Sequence, residues 1–189
     1  MEIADYIIAD DKRLVELSLA GDDIAFEYLF NRYSDAIRRL FLQRFTSNED
    51  TEDLLQETFI KVYINLHRYS PEYTFGQWVY TIARNTHIDF ERRRQEDISI
   101  DERFSAPAAM TPSPEENLIN LQQRSQIEHY INCLPEHYRR LFTMRFLEDY
   151  SYDEISEKLH LPMGTVKTQI HRARERMCHL ILEGEKDKS

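Results

Sequence analysis

Between Tyr150 and Met177 the chain reads YSYDEISEKLHLPMGTVKTQIHRARERM, and few folds accommodate such a stretch. Ser151 can accept from the backbone of a first helical turn while Glu154, three residues on, reaches back, which is the capping-box pattern. Ile155 and Leu159 then share a face of a short helix. His160 and Leu161 form a turn, and Pro162 suits a helix start because the donor it lacks would be unpaired there anyway. A second helix follows with Val166, Ile170, Ala173 and Met177 on one buried face. Its other faces carry Lys167, Thr168, His171, Arg172, Arg174 and Arg176. A capped helix, a tight turn containing Gly164 in its exit, and a basic amphipathic second helix make a helix-turn-helix, whose second helix enters the DNA major groove. Lys, Arg and Thr there can meet base edges or phosphates. Two surface helices with a solvated basic face are the blander alternative.

The charge balance qualifies that picture. The chain of 189 residues has a net charge of −10, and phosphate neutralisation drives most affinity for duplex DNA. A net acidic chain should therefore bind duplex poorly alone, which implies a partner. With 41% hydrophobic and 12% aromatic residues it can bury real cores, and only four glycines argue against Gly-rich phosphate loops. Cys133 and Cys178 lie far apart and outside any CxxC, so both read as reduced, buried thiols of a cytoplasmic protein. The acidic start, MEIADYIIADDKR, is no signal peptide, and no run reaches the ~20 apolar residues of a membrane span.

Read in order, residues 12–20 form a short helix closed by Gly21, and Asp22 caps a long helix whose core stripe is Phe26, Phe30, Tyr33, Ile37, Leu40 and Phe41. Residues 47–69 form a second long helix with Leu55, Phe59, Val62 and Leu66 on one face. Glu49, Asp50, Glu52, Asp53 and Glu57 crowd its first half, more acid than a helix dipole needs. Asp53 and Glu57 project away from the apolar stripe and read either as a solvated face or as a docking surface. Ser70-Pro71 breaks the chain, and residues 74–94 form a helix. There Tyr73, Phe75, Trp78 and Tyr80 interleave with Arg84, Asn85, His87, Arg92, Arg93 and Arg94. Aromatics with cations suit single-stranded nucleic acid; core packing with a solvated basic helix end is the alternative. Residues 95–116 hold Pro107, Pro112 and Pro114 without periodicity and read as a flexible linker. Beyond it come helices over 117–133 and 136–146 and the helix-turn-helix. The expected fold is all-α: two small helical domains, 1–94 and 117–184, joined by that linker, the second containing the helix-turn-helix, with a tail over 185–189.

Three segments together carry a family resemblance. DLLQETFIKVY (53–63), FGQWVYTIARNTHIDFERRR (75–94) and LPEHYRRLFTMRFLEDYSYDEISEKLHLPMGTVKTQIHRARERM (134–177) resemble the extracytoplasmic-function (ECF, group 4) sigma factors of bacterial RNA polymerase, in that family's order and spacing. The resemblance implies a non-enzymatic initiation factor in the cytoplasm, with no cofactor, no metal and no catalytic residue. It implies that Asp53, Gln56, Glu57 and Phe59 dock on the clamp helices of the polymerase largest subunit, with the flap as a further core contact. It implies that Arg68 to Thr74 form the loop receiving a flipped base, and that Arg68, Tyr73, Arg84, Asn85, Arg92 and Arg93 contact the −10 element. Thr165, Lys167, Thr168, His171, Arg172 and Arg174 match the face reading the −35 element, His171 departing from the aromatic or aliphatic residue of the family. Core polymerase, promoter DNA and an anti-sigma factor are the implied partners, with no membrane insertion.

Two other classes stay in view. A helix-turn-helix repressor or activator working without polymerase explains residues 150–177 but not the acidic helix. A metal hydrolase drawing on the seven histidines lacks any HExxH or nucleophile motif.

Overall fold

The computed structural model describes residues 3–43, 48–96 and 125–183, and every regular element among them is helical. Helix α1 spans Ile3–Ile8, α2 Asp11–Leu19, α3 Asp23–Leu42 and α4 Asn48–Ile64. A single 3₁₀ turn, Leu66–Arg68, leads to α5, Phe75–Glu96. After the segment outside the described residues come α6 (125–133), α7 (Glu136–Phe146), α8 (Tyr152–Leu159) and α9 (Met163–Glu183). The linker expected over 95–116 thus falls outside the described residues, except that α5 continues helically to Glu96, two residues past the expected boundary.

Local chemistry sets the helix ends. Asp10 accepts from Arg13 N at 2.8 Å and Asp22 from Ala25 N at 3.2 Å, so α2 and α3 each start on a carboxylate that answers an orphan donor. Between them Gly21 sits at φ +92°, a conformation that would strain any side chain there. Tyr6 OH donates to the other oxygen of Asp22 at 2.6 Å, which fastens α1 to the cap. That carboxylate, with burial behind it, holds the Tyr6 phenol up at about 12. Where α3 meets α5, a side chain on Gly76 would come within 2.9 Å of the Tyr33 ring, so the glycine permits the approach.

Helix α4 is central. The sequence stripe of Leu55, Phe59, Val62 and Leu66 is buried as expected, but so are Leu54, Ile60 and Tyr63 on other faces. Phe59 packs edge-on against Phe30 at 4.6 Å, and Phe26 against Tyr63 at 4.8 Å, arrangements that add to plain area burial. The surroundings explain this: α3 and α5 pack on α4, and α9 packs on α4 and α3 as well. On α5 the buried line is Phe75, Val79, Ala83 and Thr86.

The cysteines divide. Cys178 is buried, and desolvation pushes its thiol up to about 12, which keeps it protonated and unreactive. Cys133, expected to be buried, is exposed. It lies in the last turn of α6, one residue before the buried Leu134, and helical geometry turns it away from that core.

Candidate nucleic-acid and polymerase interface

The helix-turn-helix forms as its residues dictate. Ser151 accepts from Glu154 N at 3.2 Å while Glu154 accepts from Ser151 N at 2.8 Å, so the capping box is complete. His160 closes α8 in the left-handed region at φ 52° and ψ 41°, where its N–H bonds back to Glu157 and Ser156. Ser156 Oγ donates to Leu161 O at 2.6 Å and fixes the turn. Val166, Ile170, Ala173 and Met177 are all fully buried, the face expected from their spacing. Lys167, Thr168 and Arg172 are exposed on the opposite side, Thr165 is half-buried, and Gly164 has open space where a side chain would stand.

Arg174 and His171 go elsewhere. Arg174 is 4% exposed and its Nη2 lies 2.6 Å from Asp53 Oδ1, with Nη1 4.0 Å from Glu57 Oε2. The same Nη2 is 2.8 Å from His171 Nδ1. Since a guanidinium only donates, Nδ1 accepts, and the 3.3 Å approach of that nitrogen to Asp53 is a neighbourly contact rather than an ion pair.

Glu57 is 2% exposed, against the expectation that it projects into solvent. It is tolerable only because cations surround it: Lys61 Nζ at 3.2 Å and Arg145 Nη2 at 3.3 Å, both on Oε1. Arg145 also donates to Tyr150 O at 3.3 Å and stacks over the Tyr152 ring. Lys61 reaches on to Asp89 of α5 at 3.6 Å. Sequence reasoning missed Arg145 and Lys61; a buried acid off the apolar stripe leaves no periodic signal, because the third wall around it comes from a helix far away in sequence. Of the remaining residues expected to dock polymerase, Gln56 and Asp53 are half-buried, and Phe59 belongs to the core.

On the α5 side, the interleaved aromatics separate. Phe75 is buried and Trp78 half-buried against Tyr69 and Phe75, whereas Tyr73 is 62% and Tyr80 48% exposed. Arg84 and Asn85 are exposed on the next turn, and Arg68 is exposed on the 3₁₀ turn. Tyr69 OH donates to Tyr73 O at 2.8 Å, which orders the loop carrying Tyr73. Arg92 is half-buried, and the side chain of Arg93 lies outside the described residues. Tyr80, free of the core and one turn before Arg84, joins this exposed strip.

Described elements that are all helical, with a capped helix-turn-helix and a basic outer face among them, define a DNA-binding protein by class. Family comparison narrows it: sigma-70 region 2 matches residues 29–96 and sigma-70 region 4 matches residues 124–177. The chain is 31% identical over 173 residues to the ECF RNA polymerase sigma factor SigW of Bacillus subtilis, covering 87% of this chain and 92% of SigW. It is 34% identical over 174 residues to the ECF RNA polymerase sigma-E factor of Haemophilus influenzae, covering 87% and 92% of the two chains. Among solved structures, Rhodobacter sphaeroides SigE in complex with the anti-sigma ChrR is similar at 22% identity and a TM-score of 0.45, over 94% of this chain and 98% of that one. The chain belongs to the ECF RNA polymerase sigma factors. It is accordingly a transcription initiation factor that directs polymerase to promoters. No helix among the described residues is long and apolar enough to cross a membrane.

Proposed function

We propose that this sigma factor, a group 4 member acting in the cytoplasm, divides its work between a region 2 domain over 1–94 and a region 4 domain over 117–184, joined by a linker over 95–116. The acidic first half of α4, centred on Asp53, Gln56 and Glu57, docks on the clamp helices of the polymerase largest subunit. The strip of Arg68, Tyr73, Arg84 and Asn85 captures the opened −10 strand, with Arg92 and Arg93 holding its phosphates. The outer face of α9, with Thr165, Lys167, Thr168 and Arg172 and with His171 and Arg174 when they are free, reads the −35 duplex. An anti-sigma factor, expected from the family, completes the set of partners.

The observation that carries this reading is that Tyr73, Tyr80, Arg84 and Asn85 are all exposed, on α5 and on the loop that leads into it. Exposed aromatic faces next to cations offer stacking and phosphate pairing at once, which unstacked bases need and a duplex does not. Unpairing and unstacking one base costs a few kcal/mol. A surface that binds only the extruded base offsets that cost, so melting and reading become one event. The linker raises the effective concentration of each DNA-binding part for its own element once the other is bound.

Asn85→Ala tests the assignment. Asn85 is exposed, so its loss should leave the fold and closed-complex binding intact while strand opening fails on a fully paired promoter. A promoter mismatched at the −10 element removes the unpairing cost, and transcription by the variant should then recover in part. Arg172→Ala should lose about 1–3 kcal/mol of upstream binding if it reads a base, and should recover less on the mismatched template. Equal responses of both variants on both templates would contradict the division of labour.

A further inference from the structure

Polymerase would find its docking site on this chain already occupied. Asp53 and Glu57 are covered by Arg174 and His171 of α9 and by Arg145 of α7, all from the C-terminal part of the chain. A separate contact pins the same part to α3: Tyr130 OH donates to Asp23 Oδ2 at 2.5 Å, and Gln126 Nε2 donates to Asp23 Oδ1 at 2.6 Å and to Gly21 O at 3.4 Å. Burial holds the Asp23 carboxyl above its ordinary range, with the Tyr130 hydrogen bond opposing the shift.

We propose that the free sigma factor is self-latched: α9 and α7 cap the acidic polymerase-docking face with Arg174, His171 and Arg145, while Tyr130 and Gln126 fasten α6 to Asp23, and core polymerase must displace this cap to bind. The proposal rests on the docking role given above to Asp53 and Glu57. The closed form is built to open. The guanidinium Nε atoms of Arg174 and Arg145 are buried without an acceptor among the described residues. Burying charges with incomplete pairing costs desolvation that the ion pairs only partly offset, whereas in the open form all of them regain water. The same cap withholds Arg174 from DNA, so the −35 face is complete only after docking. Closure therefore ties DNA reading to the presence of polymerase, since the two events compete with one set of contacts. A basic cap on an acidic docking face also names what the displacing surface must supply, namely cations or donors aimed at Asp53.

Opening without touching docking or DNA-contacting residues is the decisive manipulation. Tyr130→Phe and Gln126→Ala remove the fastening to Asp23 and Gly21 and leave Asp53, Glu57 and the outer face of α9 untouched. The apparent affinity for core is reduced by the fraction of open molecules, so the double variant of the full chain should bind core polymerase about fivefold tighter than wild type in a fluorescence titration. Spin labels at the exposed positions Asn31 and Glu157, in a Cys133→Ser background, should lengthen in distance in the double variant and on adding core to the wild type. Arg174→Gln gives an independent opening and should shift core affinity in the same direction. Unchanged core affinity and unchanged distances in both variants, while Asp53→Lys still weakens core binding, would overturn the latch and leave the docking site standing. Wild-type core affinity of Asp53→Lys would instead remove the docking assignment and the latch's consequence with it.

Discussion

Phe59→Ala is expected to lower the unfolding free energy by about 3–5 kcal/mol, the usual loss for a truncated buried aromatic. Phe59 is almost fully buried in the middle of α4 and meets Phe30 edge-on, so truncation removes both the transfer gain and the ring contact and leaves a void. Against a typical total stability of about 5–15 kcal/mol this is a large fraction. For a chain of this size the melting temperature should fall by roughly 6–20 °C in calorimetry. Any loss of polymerase binding by this variant should track the unfolded fraction and disappear under conditions where the variant is folded. A variant that kept its melting temperature but lost polymerase would show that the ring serves the interface directly.

Asp53→Lys should do the reverse: hold the fold and lose the partner. Asp53 is half-buried at the rim of the charge cluster, where Arg174 lies against it with His171 beside. Arg174 is buried against it, but an opened cap returns the guanidinium to water and offsets the lost pair, so the melting temperature should move by only a few degrees. In the closed form the new ammonium faces the Arg174 guanidinium, which repels the cap and opens the chain. Opening alone would strengthen core binding. The net result should nevertheless be a weakening of at least about tenfold, equal to about 1.4 kcal/mol, because charge reversal at the centre of the docking face outweighs the gain. Surface plasmon resonance against core polymerase reads the difference. Affinity equal to or above that of wild type would mean that the acidic run serves only the intramolecular contact.

Read together, the two variants mark where the sequence was legible. Ser151, Glu154 and the Val166–Ile170–Ala173–Met177 spacing describe local events, capping and one-sided burial, and local rules read them without a structure. The cap Asp22 and the turn at Gly21 belong to the same group. Glu57 was not legible. Its place off the Leu55–Phe59–Val62 stripe suggested solvent, but α4 is enclosed by helices on several sides, and one of them, α9, is more than a hundred residues further along the chain. Arg174 was half legible in the complementary way: its place on the recognition helix reads as a DNA contact, and its pairing with an acid of α4 leaves no periodic signal. The aromatics of α5 and of the loop before it were half legible. Their composition suggested single-stranded nucleic acid, but only the fold separates Phe75 in the core from Tyr73 and Tyr80 at the surface. Cys133 failed for a simpler reason, since thiols are usually buried and this one ends a short helix facing out.

The most direct measurement is transcription in vitro from fragments of the source genome by core polymerase, with and without this chain. Discrete start sites should appear only when the chain is added, and should vanish with Asp53→Lys. Without core the chain, with its net charge of −10, should bind the same promoters as duplex only at nonspecific strength, about 10⁻⁴ to 10⁻⁶ M at physiological salt. Start sites that are the same with and without the chain, together with tight sequence-specific duplex binding by the chain alone, would contradict the proposed function.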